Sequence, residues 1–176
     1  DGAMAGVINI FTKNYTKSQI RTSFGSAGQE IHDISLGYSY EDWINLSIDI
    51  HDEELDGYSD ADTKGNKDKV SNTSQSLRLN LMPIKDLKIN FGINSARNNA
   101  YLVGGLTKDE FLSNPKQNSG NQYSNYDYDV DKYSIGLTYQ INKSLQLNLN
   151  HFNEDKSQHA ITSYNDDTYA VSYTHL

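Results

Sequence analysis

The chain has 176 residues, enough for one ordinary domain, and no Cys, which excludes disulfide and thiolate chemistry. Its formal net charge of −8 argues against a nucleic-acid partner, which needs a basic surface. No apolar run approaches the roughly 18 residues of a transmembrane helix. A hydrophobic content of 36% still leaves a membrane barrel open, since half of each such strand faces a polar lumen.

The first residues hold two small-residue steps, Gly2-Ala3 and Ala5-Gly6, then an apolar run, Val7, Ile8, Ile10 and Phe11, broken by Asn9. Small residues ahead of an apolar run let backbones approach closely, which reads as a tight turn and a short buried strand. Residues 14–18 form a polar connection. From residue 19 the pattern changes to strict alternation, the sign of strands with two unlike faces.

A first strand sets Ile20, Thr22 and Phe24 against Gln19, Arg21 and Ser23, and Gly25-Ser26-Ala27-Gly28 closes it with a turn. A second sets Ile34, Leu36, Tyr38 and Tyr40 against Asp33, Ser35, Gly37 and Ser39. A third sets Ile44, Leu46, Ile48 and Ile50 against Asn45, Ser47, Asp49 and His51. Leu77, Leu79 and Leu81 mark a fourth, and Leu87, Ile89, Phe91 and Ile93 a fifth. Ile135, Leu137, Tyr139 and Ile141 mark a sixth, and Leu145, Leu147 and Leu149 a seventh. Tyr169, Val171 and Tyr173 share one side of an eighth.

The connections alternate in length. Those at 41–42, 83–86 and 142–144 are short, and the segments 52–72, 95–131 and 153–167 read as long loops. Inside the longest, Thr107 with Glu110 three residues on is a capping box that starts a short helix over 107–112. Short turns on one side and long loops on the other mark an outer-membrane barrel, with strands of about 9–11 residues. Tyr38, Tyr40, Trp43 and Tyr139 lie near the short turns, as an interfacial aromatic girdle would. By parity Arg21, Arg78 and Lys88 face the lumen, with Asn45, Asn80, Asn90, Asn148 and Asn150.

No catalytic constellation is legible, and the chain reads as a non-enzyme without a cofactor. His32, His51, His151, His159 and His175 are scattered, and only His151 has acids close by in sequence, Glu154 and Asp155. Asp60 and Asp62, with Gly65, match the first, third and sixth positions of a calcium loop. Lys64 stands where an oxygen ligand belongs and no Glu follows at the twelfth position, so the segment reads as a solvated acidic loop. Tyr and Asp alternate over 123–133, which reads first as an extension of the sixth strand above the membrane. Within it Tyr123, Tyr126, Asp127 and Tyr128 are the candidate ligand contacts, because Tyr offers apolar area with a hydroxyl.

The opening stretch also resembles a known family. Gly2, Ala3, Gly6, Val7, Ile8, Asn9, Ile10, Thr12 and Lys13 resemble the closing segment of the plug in TonB-dependent outer-membrane receptors. The resemblance covers residues 1–13; the alternation downstream does not depend on it. It implies that 1–18 is the end of a plug domain and its link, and that 19–176 is the N-terminal part of an antiparallel transmembrane β-barrel. Plugged barrels have roughly 22 strands, so about eight strands imply a piece of a longer protein. The implied function is active uptake of a scarce nutrient, such as a ferric siderophore, haem or cobalamin, across the outer membrane of a Gram-negative cell. The implied partners are outer-membrane lipid, that small molecule and the energy-transducing TonB protein. A passive porin or adhesin-type barrel and a soluble β-sandwich are the alternatives that the residues leave open.

Overall fold

Alternation of side chains becomes a single antiparallel sheet. The computed structural model describes residues 17–61, 65–118, 120, 122–164 and 167–175. The plug-like motif, Gly2 to Lys13, lies outside them, as does Asp62. The strands are β1 (Gln19–Phe24), β2 (Glu30–Tyr40), β3 (Ile44–Leu55), β4 (Lys69–Ile84), β5 (Leu87–Val103), β6 (Gln122–Asn142), β7 (Leu145–Tyr164) and β8 (Asp167–His175). Each pairs antiparallel with the next, giving an eight-stranded open sheet in the order β1 to β8. Among the described residues helix is confined to a one-turn 3₁₀ segment at Ser26–Gly28 and to α1 (Lys108–Ser113).

Successive residues of a strand point to opposite faces, so register decides which side chains meet. Leu79 lies opposite Leu46 on one side and Phe91 on the other. Ile89 faces Leu137, and Leu137 faces Leu149. This face, here the Leu79 face, therefore carries an unbroken apolar belt from β2 to β7. The opposite face, here the Arg78 face, carries the row Asn45, Asn80, Asn90, Gly136 and Asn150.

One layer has no interior. Substantial contacts among the described residues join only sequence-adjacent strands, with the first connection also touching β3. Among the described residues no hydrophobic side chain is buried, and Ile93 and Leu149 keep 58% and 56% of their surface exposed. Tyr40 and Trp43 meet edge-on at 5.5 Å beside the first short turn, as their positions in the sequence suggest.

Two expectations change. Strands β4 to β7 are much longer than 9–11 residues: β6 has 21 and β7 has 20. The long loops shrink accordingly. Strand pairing continues to Leu55 and resumes at Lys69, so the connection expected at 52–72 is 56–68. That expected at 95–131 is 104–121, and β7 continues to Tyr164 through most of 153–167. Beyond the belt the Leu79 face is no longer consistently apolar, yet backbone pairing needs no apolar face. The capping box is present: Thr107 Oγ1 accepts from the Glu110 amide, and Glu110 Oε2 accepts from the Thr107 amide at 2.7 Å.

Candidate functional site

On the Arg78 face, polar side chains bond across strands. Arg78 donates from Nη2 to Asp49 Oδ2 at 2.8 Å and from Nε to Ser47 Oγ, and Ser47 is only 3% exposed. Asp49 also accepts from Ser35 and Ser76. Arg21 donates to Asp33 at 2.8 Å, and His51 Nδ1 lies 2.7 Å from the other oxygen of the same carboxylate. Glu53 accepts from Gln29 and Asn72, which hold its carboxyl below the usual range. Lys88 lines a shallow depression of about 340 Å³ with Asp42, Asn45, Asn80 and Asn90. The register puts Arg21, Arg78 and Lys88 on one face, and Arg21 and Arg78 are paired within the sheet.

Toward the long connections both faces become mixed. On the Leu79 face the belt gives way to Asp52, Glu54, Asp127, Asp129, Asp131 and Asp155. Arg97 answers part of that charge, 2.7 Å from Asp131 and 3.5 Å from Asp129. On the Arg78 face the same strands present Ala96, Ala100, Tyr126, Tyr128, Val130 and Ala160. β8 pairs only with this upper part of β7, and its Tyr169, Val171 and Tyr173 fall on the Arg78 face. They do not continue the apolar belt.

This sorting divides the tyrosine-aspartate cluster. Tyr126 and Tyr128 lie on the Arg78 face, whereas Tyr123 and Asp127 lie on the other. Tyr123 stacks on Tyr101 at 5.4 Å, and Asp127 accepts from Asn99. His151 and Asp155 likewise sit on the face opposite Glu154. Glu154 belongs to a group the sequence did not single out. It holds Lys156 at 2.5 Å and Lys132 at 3.6 Å, and Lys132 stands 5.1 Å from the centre of the Phe152 ring. The hydrogen bond with Lys156 holds the Glu154 carboxyl below its usual range and raises the Lys156 ammonium. Phe152, Glu154 and Lys156 alternate along β7, and the β6–β7 register brings Lys132, distant in sequence, to them.

The connections at the loop end fold on each other. The Asp60 amide donates to the Lys116 carbonyl at 2.7 Å, and Asn118 donates to the Asn66 carbonyl. Asp60 also receives Asn114. Asp68 closes 56–68 on itself by accepting from the amides of Tyr58 and Ser59 at 2.8 and 2.7 Å. Burial pushes the Asp68 carboxyl up, but the bonds to these amides outweigh it and the net shift is downward from 3.8. A carboxyl depressed in the folded state stabilises above its unfolded value and loses that contribution as pH falls through the folded one. Cleavage of 56–68 by a protease active in acid is therefore expected to stay flat down to about pH 4 and to rise below it. In Asp68→Asn the cleavage is expected to be fast at every pH.

The chain matches no protein-family model, no curated protein and no solved structure.

Proposed function

We propose that this chain forms part of the wall of an outer-membrane β-barrel, in a TonB-dependent receptor that takes up a scarce nutrient. The observation that carries the reading is the exposed apolar belt on the Leu79 face, backed by a polar, hydrogen-bonded opposite face. A Leu or Ile left in water forgoes roughly 1.5–3 kcal/mol of burial, so a belt of this extent needs a cover. A bilayer fits it better than a second sheet. The belt is bounded, with Tyr38, Tyr40, Trp43 and Tyr139 toward the short turns and aspartates toward the loops. On β6 it runs from Tyr133 to Ile141, roughly 26 Å at about 3.3 Å per residue, comparable with the ~25 Å apolar band of such barrels.

In this reading the short turns face the periplasm and the long connections face outward. The Arg78 face lines the interior, and Tyr126 and Tyr128 lie where an arriving nutrient meets the wall. Active uptake, the plug and the TonB partner rest on the resemblance of residues 1–13. Ferric siderophores, haem and cobalamin are the nutrient classes that this resemblance brings.

The test is fractionation of cells carrying the full-length protein, with gel mobility before and after heating and uptake with and without a proton gradient. Recovery in the outer membrane, a heat-dependent mobility shift and gradient-dependent uptake are expected. Recovery in the soluble fraction would end the barrel reading. Uptake that survives loss of the gradient would point to a passive barrel.

A further inference from the structure

We propose that Lys132 and Lys156 form a binding site for a small organic anion with a planar ring, on the Arg78 face just beyond the belt. The site deepens the uptake reading and rests on it for the assignment of this face to the interior.

The charge count comes first. Lys132 and Lys156 share one carboxylate, Glu154, at 3.6 and 2.5 Å. One carboxylate neutralises one ammonium, which leaves a positive charge. No other acid on this face is at hand. From β5 to β7 the described residues of the Arg78 face include Glu154 as the single acid, against Lys88, Lys132 and Lys156. The abundant aspartates of the same stretch, Asp127, Asp129, Asp131 and Asp155, all point the other way. Strand parity thus separates the charges of one short segment across the thickness of the sheet.

One ring meets this charge, and two more share its face on neighbouring strands. Phe152 lies under Lys132 and is 65% exposed. One row beyond Lys156, Tyr128 and Tyr173 flank Gln158 across neighbouring strands. An exposed ring beside an ammonium takes a flat apolar ligand on its face while the charge takes the ligand's anionic group. Hydroxyls of Tyr and the amide of Gln158 supply hydrogen bonds at the rim.

The test titrates benzoate into the full-length protein in detergent micelles, read by saturation-transfer NMR, with cyclohexanecarboxylate and benzyl alcohol as partial mimics. Benzoate is expected to bind several-fold more tightly than either, because only it has both charge and ring. Lys132→Gln and Lys156→Gln are expected to weaken benzoate several-fold. Glu154→Gln releases an ammonium and is expected to strengthen it, a gain that misfolding cannot produce. Benzoate binding no tighter than benzyl alcohol, or Glu154→Gln without a gain, would overturn the site. Absence of binding by a protein that fractionates with the outer membrane would remove the site alone. Benzoate binding that follows the expected variant pattern in a protein recovered as soluble would keep the site and remove the uptake reading.

Discussion

Replacing Leu79 with Arg is expected to cost roughly 2–4 kcal/mol of folding stability in a bilayer, the range for a cation at the midplane of a membrane strand. Leu79 sits at the centre of the belt, between Leu46 and Phe91. An Arg there must enter hydrocarbon or drag water and headgroups toward it. Ser71 lies on the same strand and the same face, beyond the belt, between Glu54 and Asn99. Ser71→Arg is expected to cost no more than about 1 kcal/mol, since the penalty falls away toward the interface. Denaturant titration of the full-length protein in lipid vesicles, followed by heat-modifiable mobility, measures both. Equal small losses at the two positions would mean that lipid does not cover the belt.

Gly57→Val is the second large effect, and it is local. Gly57 is buried with φ of +85°, and a Cβ built there would stand 1.8 Å from the Asp68 carbonyl oxygen. A β-branched residue at positive φ is strained by itself, and the backbone it strikes is the residue that closes the connection. The cost is expected to be on the order of 3 kcal/mol. Gly65 provides the contrast, with φ of +83° and nothing within 4 Å of its Cβ position. Gly65→Ala is expected to carry only the backbone strain, about 1 kcal/mol. Hydrogen exchange locates the damage: the Tyr58 and Ser59 amides lose protection in Gly57→Val, while the β4–β5 ladder keeps it. Loss spread over the whole sheet would show that 56–68 is integral to the strands and not a separately closed loop.

The belt was legible because each of its strands alternates one apolar and one polar side chain, as in Leu77, Leu79 and Leu81 against Arg78 and Asn80. The extensions were legible only in part. The Tyr and Asp alternation marks 123–133 as an extension of the sixth strand, and it pairs as one. Residues 95–103 also pair as strand, but neither face there is consistently apolar, so periodicity carries no signal for them. The short helix was readable from Thr107 and Glu110 alone, because a capping box is a local bond pattern. Parity could have separated Tyr126 and Tyr128 from Asp127 once the segment was taken as strand. Grouping them by proximity in sequence hid that. The Lys132–Glu154–Lys156 group depends on the register between β6 and β7, and the closure of 56–68 by Asp68 depends on a turn without a sequence signature. Gly2 to Ile10, the motif behind the plug reading, stands on the sequence alone.

These 176 residues contain no Cys, so once any Cys elsewhere in the full-length protein is replaced, single Cys residues can be introduced and spin-labelled without background. The most direct measurement places labels one at a time from Ser71 to Leu81 along β4, in the full-length protein in lipid vesicles. Accessibility to oxygen is compared with accessibility to a water-soluble nickel chelate. Labels at Leu77, Leu79 and Leu81 are expected to favour oxygen, with a period of two, and labels at Ser71 and Thr73 are expected to favour nickel. Nickel access at Leu79 equal to that at Ser71, or shielding of Leu79 from both reagents, would contradict a belt that faces lipid.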